Sequence, residues 1–480
     1  MALSAVDYLV IGVYLLAITA FGSWFARYQK TTRDYFLTGR SIPWWAICFT
    51  IVATETSTLT FIGIPATAYA GNMTFLQLAI GYVIGRVLVS VLFIPAYFRG
   101  ELFTSYELLQ RRFGTRVKTL AAIIFLITRS LADGIRLFTT ALVISVVTQL
   151  PVTWVVIVLG AAMIVYTMRG GVSAVIWTDV VQMFVYIAGA AAVAVALLNR
   201  IDGGWAEVVR VGRETGRFAV FDFSLDFSKV YTIWSGVLGG IALTLATHGT
   251  DQYLVQRLLS ARSAREASRG LILSGFIVFA QFVLFLLIGV MLYAFYLQAP
   301  LPQPLARTDQ ILPIFVVNEL THGLAGFIVA AIIAAALSPS LNAMAATTVT
   351  DFYLPYINPS ADQATQMRIS KQATVAWGLV QLAVAIGGQF MERSVLDAGL
   401  AVLGFASGAV LGAFLLGTLA PSVTERDTFA GMIAGLLVMT AVWWDGKIAF
   451  TWYVLIGSVT TCVVALVRSS RSPRAAAADS

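Results

Sequence analysis

The chain has 480 residues, of which 59% are hydrophobic and 11% are charged, and its mean hydropathy is +0.85. This composition excludes a soluble multidomain protein and predicts a helical protein embedded in a membrane. The two cysteines, Cys48 and Cys462, lie in different apolar stretches, which excludes a disulfide framework and a cysteine metal site. The formal net charge is +7, and the loops described below account for this excess without a nucleic-acid partner.

Apolar stretches recur along the whole chain. A helix needs about 20 mostly apolar residues to cross the hydrocarbon core of a bilayer. Thirteen stretches meet this requirement, at roughly 4–26, 42–70, 74–98, 118–148, 151–168, 173–198, 231–252, 270–297, 321–349, 372–390, 396–420, 428–444 and 449–467. They are too long for barrel strands. The sequence therefore predicts an all-α, polytopic membrane protein of about 13 transmembrane helices.

Lysine and arginine are distributed unevenly between alternate loops. With the amino terminus placed outside, 20 of the 31 Lys and Arg residues fall in inside loops and 8 in outside loops. Cytoplasmic loops carry the excess of positive charge in membrane proteins. We therefore predict a multi-pass protein of the inner (plasma) membrane, with its amino terminus outside and its carboxyl terminus in the cytoplasm.

The order of the spans predicts one transporter domain over 1–470, followed by a disordered tail over 471–480. Its parts are a peripheral first helix at 4–26, a first repeat at 42–198, a second repeat at 231–420 and two peripheral helices at 428–467. Each repeat has five spans. Because five is odd, the two repeats cross the membrane in opposite directions, as inverted repeats do.

Each predicted repeat begins with a helix that has a weak point. In the first repeat it is residues 53–58, where Glu55 lies among four hydroxyl side chains. In the second repeat it is the glycine-rich run at 236–240, because glycine lacks the side chain that favours a helix. The alternative for this run is close packing against another helix.

A second interrupted stretch lies at 325–350, with Ser338, Pro339, Ser340 and Asn342 near its middle. Carboxylates, hydroxyls and a proline at membrane depth cost free energy unless they line a site or a cavity. Broken membrane helices of this kind hold solute and coupling ion in secondary transporters. The two interrupted stretches therefore predict a transport site.

Five motifs resemble the sodium:solute symporter family, which includes sodium-coupled sugar, proline, pantothenate, sialic-acid and monocarboxylate carriers. They are DYFLTGR at 34–40, FIGIP at 61–65, RGGVSAVIWTD at 169–179, GTDQ at 249–252 and SLN at 340–342. The resemblance covers about residues 5 to 470. It implies a five-plus-five inverted-repeat fold like that of the leucine transporter, and symport by alternating access driven by a sodium gradient.

The resemblance also implies a sodium site with one departure from the family pattern. Backbone carbonyls at Ala53 and Thr56 match the first half of the family's site. The second half is usually a hydroxyl pair, which Ala335 and Ala336 replace in this chain. Ser338 and Ser340 are close by in sequence, and we expect them to supply oxygen ligands instead. Coupling to protons through Glu55, or no coupling at all, are the alternatives.

Glu55 itself has two interpretations. The family's proline carriers resemble this chain in placing a carboxylate at this position, so Glu55 is a predicted ligand of Na⁺ or a carrier of H⁺. The alternative is a structural ion pair with Arg86 or Arg136. His248 and Asp179 are interpreted as structural, the first as a core histidine and the second as a cap or ion pair.

The fourth span carries Arg129, Asp133 and Arg136 on one helical face, because their spacings are four and three residues. Pairing of Arg129 with Asp133 would leave Arg136 to bind the carboxylate of an anionic solute. The alternative is a closed salt-bridge network. Ser57, Thr60, Arg136 and Asp251 are the predicted solute ligands.

Together these features predict a symporter that takes up a small polar organic solute, with an organic anion as one alternative. Its partners would be the solute and the lipid bilayer, with no obligate protein partner. Only two histidines exist and no serine–histidine pairing occurs at membrane depth, so we do not expect an enzyme. A transporter-like receptor is a remote alternative, since such proteins usually carry a soluble signalling domain.

Overall fold

A computed structural model describes residues 3–100, 102–301, 305, 307–336, 340–390 and 395–471, with the side chains of 59, 336, 390 and 395–403 excepted. Within these ranges the chain is helical, apart from loops and one isolated bridge between Ile42 and Ala261. This agrees with the all-α class that the composition predicts.

The main helices follow one another in chain order, and we number them α1 to α15. They are α1 Ala5–Trp24, α2 Trp44–Glu55, α3 Thr58–Ala70, α4 Leu76–Leu92, α5 Thr115–Thr148, α6 Val152–Arg200, α7 Ile233–Gly249, α8 Gln252–Leu259, α9 Ala264–Gln298, α10 Leu324–Ala336, α11 Leu341–Thr347, α12 Gln363–Gly387, α13 Val395–Leu419, α14 Glu425–Asp445 and α15 Tyr453–Arg471. Short α-helices lie at Thr32–Leu37, Ile94–Tyr97, Tyr106–Arg112, Gly204–Glu214, Ile311–Glu319 and Leu354–Tyr356. Short 3₁₀-helices lie at Phe25–Tyr28, Thr38–Arg40, Thr308–Gln310, Gly388–Phe390 and Phe450–Trp452, and a π-helix lies at Thr348–Tyr353.

Seven described helices are long and apolar enough to cross a membrane, or up to eight if α2 and α3 count as one bent span. The remaining predicted spans correspond to shorter apolar helices, such as the 17-residue α4 and α7. The predicted fifth and sixth spans lie in α6. They meet at Gly171, whose φ of 57° and ψ of −155° interrupt the helix. Only glycine adopts this region readily, because it has no Cβ.

The weak point predicted for the first repeat is a real break. α2 ends at Glu55, Thr56 is extended, and Ser57 starts α3. The Ser57 hydroxyl accepts from the Thr60 amide and the Thr60 hydroxyl accepts from the Ser57 amide, a capping box that restarts a helix. The axes of the two halves differ by 58°.

The break predicted at the glycine run 236–240 is wrong, and the packing alternative is right. These residues lie inside the continuous helix α7. A Cβ at Gly240 would lie 2.5 Å from the Leu78 carbonyl oxygen, and one at Gly81 would lie 2.9 Å from the Gly240 Cα. The glycines therefore let α7 and α4 approach closely. The chain breaks instead at Thr250 and Asp251, between α7 and α8.

The two interrupted stretches meet in the middle of the molecule. The Thr58 hydroxyl, at the start of α3, donates to the Ile332 carbonyl oxygen of α10 over 3.2 Å. It accepts in turn from the Thr140 hydroxyl of α5 over 2.7 Å. The break in the first repeat is thus held between helices of both repeats, and it opens onto a cavity.

Candidate functional site

A cavity of about 120 Å³ lies at the break between α2 and α3. Helices of both predicted repeats line it. The lining residues are Thr54, Glu55, Ser57, Thr60, Ile64, Phe75, Tyr82, Arg129, Arg136, Leu243, Thr244, Thr247, His248, Tyr253, Leu254 and Phe282. Hydroxyls and charged groups make up one part of this wall, and aromatic and aliphatic side chains make up the other.

Ser57, Thr60 and Arg136, three of the four predicted solute ligands, line this cavity. The two hydroxyl residues are there because their capping box places them at the first turn of α3. The structure brings these three residues together, and their contact with solute stays a prediction.

The Arg136 guanidinium has little to bind within the described residues. Its Nη2 donates to the Thr54 carbonyl oxygen over 3.4 Å, and its buried Nη1 has no hydrogen-bond partner. No described carboxylate lies within 4.0 Å of it. A buried guanidinium nitrogen without an acceptor costs free energy, which a bound carboxylate would offset.

Glu55 lies in the cavity wall and forms an ion pair with Arg86 of α4. The Arg86 side chain is fully buried, whereas 15% of the Glu55 side chain is exposed. His248 of α7 completes the group, with its Nε2 at 3.4 Å from Arg86 and 3.7 Å from the Glu55 carboxylate. Of the two alternative partners that the sequence suggests for Glu55, the structure selects Arg86 and not Arg136.

Arg129 of α5 pairs with two carboxylates. The predicted pair with Asp133 is present at 3.5 Å, and a second, closer pair forms with Asp251. Asp251 lines a separate cavity of about 20 Å³ and does not line the larger one. The Asp251 side chain also accepts from the Tyr253 amide and caps α8. The structure therefore does not bring this predicted solute ligand to Ser57, Thr60 and Arg136.

Three of the predicted sodium ligands, Ala53, Glu55 and Thr56, lie at the same break. Ala53 and Thr56 are buried in the last turn of α2 and the residue after it, and the Thr56 hydroxyl accepts from Gln281 Nε2 over 2.7 Å. Ala335 is 1% exposed, and its methyl group has no oxygen that could bind sodium. Ser340 is buried at the start of α11, and Ser338 lies outside the described residues. That these residues hold sodium stays a prediction.

A buried polar network lies in the half of the molecule where α2 begins, which is the predicted cytoplasmic half. Arg257 of α8 pairs with Asp179 of α6 at 3.0 Å, and both side chains are at most 1% exposed. The Thr50 hydroxyl donates to Asp179 over 2.6 Å and accepts from Arg257 Nε over 3.1 Å. Gln256 Nε2 donates to Asn342 Oδ1 over 2.9 Å. These contacts tie α2, α6, α8 and α11 together.

Sequence reasoning missed two parts of this arrangement. One is the apolar wall, formed by Ile64, Phe75, Tyr82 and Phe282 among others. Aromatic residues are 12% of the chain, so composition did not single these out. The other is Arg257 as the partner of Asp179, for which the sequence suggests a cap or an ion pair without naming the partner. A signal was available, because both residues lie on the same predicted side of the membrane.

The family profile described as "Sodium:solute symporter family" matches residues 35–435. The sodium/sialic acid symporter NanT of Aliivibrio fischeri is 32% identical over 95% of this chain and 92% of that protein. The human sodium/iodide cotransporter is 31% identical over 90% of this chain and 68% of that protein. A solved Na⁺-coupled sialic acid symporter, in a substrate-bound outward-open state, aligns with a TM-score of 0.91 at 27% identity, covering 97% of this chain and 98% of that one. The profile match, the sequence identities and the shared fold agree, and the chain belongs to the sodium:solute symporter family.

Proposed function

We propose that this protein couples the uptake of a small organic anion to a sodium gradient by alternating access, without chemical change of the solute. The solute binds in the cavity at the break between α2 and α3. The observation that carries the proposal is Arg136, a cavity-lining guanidinium whose buried Nη1 lacks an acceptor among the described residues.

A carboxylate is the solute group that best fits Arg136. Guanidinium and carboxylate form two parallel charge-assisted hydrogen bonds, which add geometric specificity to the electrostatic attraction. Ser57 and Thr60, on the same cavity wall, offer hydroxyls to the rest of the solute. The proteins that this chain resembles carry sialic acid and iodide, which are also anions. This common charge supports an anionic solute here.

The apolar residues that line the cavity indicate the rest of the solute. Ile64, Phe75, Phe282 and Leu254 offer only carbon atoms to the cavity, and Tyr82 offers a ring. Pockets of this kind bind ligands that bury apolar surface and fix their orientation with a few polar contacts. A monocarboxylate with an apolar part therefore fits better than a fully hydroxylated sugar.

Sodium coupling follows from linkage between two bound species. If Na⁺ and solute both bind better to the same arrangement of the broken helices, each raises the affinity of the other by the same factor. The buried network of Thr50, Asp179 and Arg257 lies between the cavity and the start of α2. Solute can leave on that side only when the contacts of this network break. The network is therefore the barrier that opens in the inward-facing state and closes in the outward-facing state.

A second candidate is a transporter that uses protons or no ion at all. Ala335 and Ala336 stand where family members carry hydroxyl ligands, and this favours it. Glu55 would be the proton carrier, since its carboxylate lines the cavity beside Arg86 and His248. The experiment below separates the two candidates.

The protein sits in the plasma membrane in this proposal, with its amino terminus outside and its carboxyl terminus in the cytoplasm. The support is the excess of Lys and Arg in the loops assigned to the inside. Single cysteines at position 5, which is exposed, and at position 470, in a background with Cys48 and Cys462 replaced, test this with a membrane-impermeant thiol reagent. Labelling of position 470 on intact cells would contradict the orientation.

The test of function uses the purified protein and a panel of monocarboxylates of increasing apolar size, with sialic acid and iodide included. Thermal unfolding is followed in Na⁺ and in choline, because a ligand that binds only the folded state raises its stability. Hits are then measured as radiolabelled uptake into proteoliposomes with a Na⁺ gradient, a pH gradient or neither. Uptake that follows the pH gradient alone would favour the second candidate.

Arg136→Gln is the matched variant for the anion, and Arg210→Gln is its control, because Arg210 is exposed in an outer loop helix. Losing one partner of a buried charge pair costs about 2–5 kcal/mol, so we expect the solute affinity of Arg136→Gln to fall at least thirtyfold. Equal affinities in the two variants would contradict the assignment of Arg136.

A further inference from the structure

A cluster of buried polar side chains lies where α5, α11 and α12 meet, outside the lining of the cavity. Asp133 of α5 is 6% exposed, Gln381 of α12 is 1% exposed and Ser340, at the start of α11, is fully buried. Gln381 Nε2 lies 3.5 Å from Asp133 Oδ2 and 3.3 Å from Ser340 Oγ. The cluster shares only Ser340 with the sodium ligands that the sequence predicts.

The Asp133 carboxylate is poorly neutralised for a buried group. Among the described residues, its contacts are Arg129 Nη1 at 3.5 Å and Gln381 Nε2 at 3.5 Å, both at the outer limit of a hydrogen bond. Arg129 makes its closer contact with Asp251. One guanidinium thus faces two carboxylates. The next cation along α5, Arg136, contacts the Thr54 carbonyl and forms no ion pair within 4.0 Å among the described residues. A buried carboxylate in this position requires further positive charge.

The side-chain oxygen of Gln381 also lacks a partner in the described part of the chain. Its Oε1 is buried and has no hydrogen-bond donor among the described residues. Its Nε2 has three contacts, all of 3.3 Å or more, and the third is the Met344 sulfur at 3.5 Å. The oxygen and nitrogen of a glutamine amide exchange places when the amide rotates by half a turn. Rotation would point Oε1 at the Ser340 hydroxyl, which can donate to it, and at the Asp133 carboxylate, which cannot when ionised. A cation between the oxygens would remove the repulsion between Oε1 and Asp133.

Two separations in this cluster, from the Gln381 amide to Asp133 and to Ser340, match the coordination shell of Na⁺. Oxygen ligands lie about 2.3–2.6 Å from Ca²⁺, whose radius is close to that of Na⁺, so neighbouring oxygens of an octahedral shell are about 3.3–3.7 Å apart. The two contacts of the Gln381 amide, 3.3 Å and 3.5 Å, lie within that range. Direct hydrogen bonds would be about 0.4–0.6 Å shorter.

We propose that the Asp133 carboxylate, the Gln381 amide oxygen and the Ser340 hydroxyl bind a sodium ion. The ion supplies the positive charge that Asp133 lacks and the partner that Gln381 Oε1 lacks. It also gives the chain a cation site although Ala335 and Ala336 carry no hydroxyl. The inference deepens the proposed function and rests on its sodium half.

The position of this site gives a direct route for coupling. Asp133 and Arg136 are three residues apart on α5, so they lie about one turn apart on the same face. A solute carboxylate at Arg136 adds a negative charge close to Asp133 and Asp251, whose two negative charges already exceed the single positive charge of Arg129. A sodium ion at Asp133 cancels that charge. Each ligand therefore raises the affinity of the other through the electrostatics of one helix.

The test measures sodium binding without solute, as ²²Na⁺ binding to the purified full-length protein and as the rise in unfolding temperature on Na⁺ titration against choline at pH 8. We expect Asp133→Asn and Gln381→Met to raise the half-saturating Na⁺ concentration at least tenfold, by analogy with the 10–100-fold cost of losing supporting groups at metal sites. Gln77→Met is the matched control. It replaces another fully buried glutamine, whose contacts are with Thr74, Asp222 and Tyr231, and its half-saturating concentration should stay that of the wild type.

Gln381→Glu separates an oxygen ligand from a structural hydrogen-bond donor. Glutamate keeps the oxygen and adds negative charge, but it has no N–H to donate to Asp133. We expect this variant to keep or strengthen Na⁺ binding. Loss of Na⁺ binding in Gln381→Glu as well as in Gln381→Met would overturn the inference, because only a donor role predicts it.

The outcomes also distinguish this inference from the proposed function. Wild-type Na⁺ binding that persists unchanged in Asp133→Asn overturns this site and leaves sodium coupling standing. Absence of Na⁺ binding in the wild type overturns both the site and the sodium half of the proposed function. Anion binding at Arg136 is measured separately. Its loss in Arg136→Gln bears on the solute site and not on the sodium site at Asp133 or on sodium coupling.

Discussion

Each of the two repeats contains a broken helix, and the polar residues at the two breaks have different contacts. Between α2 and α3, Ser57 and Thr60 cap the second half-helix, and they line the cavity together with Glu55. Between α7 and α8, Asp251 caps the second half-helix as well, but its carboxylate binds Arg129 and lies outside that cavity.

The difference lies in what remains available after the local structure is satisfied. A hydroxyl that caps a helix still has lone pairs and a proton for a ligand. The charge of the Asp251 carboxylate is neutralised by an ion pair with the buried Arg129. The first break is therefore suited to bind a solute, whereas the second is suited to hold α5 against α8. Four predictions test this comparison of the two repeats.

The largest effect is expected for Glu55→Gln at the first break. The substitution leaves Arg86 fully buried without its carboxylate, at a cost of about 3–5 kcal/mol, and removes the only acidic side chain that lines the cavity in the described residues. We expect sodium-driven uptake into proteoliposomes to be abolished.

A double variant controls for misfolding. Glu55→Gln with Arg86→Met removes the uncompensated charge, so we expect thermal stability to recover while uptake stays absent. Unchanged uptake in Glu55→Gln alone would exclude Glu55 from the mechanism.

A smaller effect is expected for Asp251→Asn at the second break. Arg129 loses its closer partner but keeps Asp133, so stability should fall by about 1–3 kcal/mol. Because Asp251 lies outside the cavity, the solute affinity should change by less than about threefold. Thermal unfolding and a solute titration measure the two quantities. A tenfold loss of affinity at unchanged stability would restore Asp251 as the solute ligand that the sequence predicts.

Gly240→Ala tests why the second repeat does not break at its glycines. In an exposed helix this change would stabilise by about 1 kcal/mol, because alanine favours the helix. Here the new Cβ would lie 2.5 Å from the Leu78 carbonyl oxygen, so we expect a net loss of about 1–3 kcal/mol. Gly12→Ala in α1 is the control, since its Cβ would meet no atom within 4 Å and should stabilise. Stabilisation by both variants would contradict the packing explanation.

The sequence alone predicts the spans well and the site in part. Hydropathy identifies the membrane helices because each must satisfy its own backbone in lipid. The first break is visible because Glu55 and its hydroxyl neighbours are costly at membrane depth. The break at Asp251 is not, because a short polar turn near a helix end resembles an ordinary loop. The glycine run gives one signal for two opposite structures, a flexible break and a tight contact.

Pairings across the fold lie further beyond the sequence. The spacing of Arg129 and Asp133 predicts one ion pair, since both are on one helix. The closer partner, Asp251, comes from another repeat, 122 residues away. Gln381 carries no motif and becomes a candidate ligand only when α12 is seen beside Asp133 and Ser340.

The smallest effect is expected where the sequence departs from its family, at Ala335 and Ala336. A serine at either position restores a hydroxyl at a sequence position where family members carry one. If Na⁺ binds at Asp133, Gln381 and Ser340, that hydroxyl is not a ligand, and the half-saturating Na⁺ concentration of Ala335→Ser or Ala336→Ser should stay within about threefold of the wild type, or about 0.7 kcal/mol. If Na⁺ binds instead at the carbonyls of the first break, an added oxygen ligand should tighten binding tenfold or more. Such a gain would return the ion to the first break and leave Asp133 as a structural partner of Arg129.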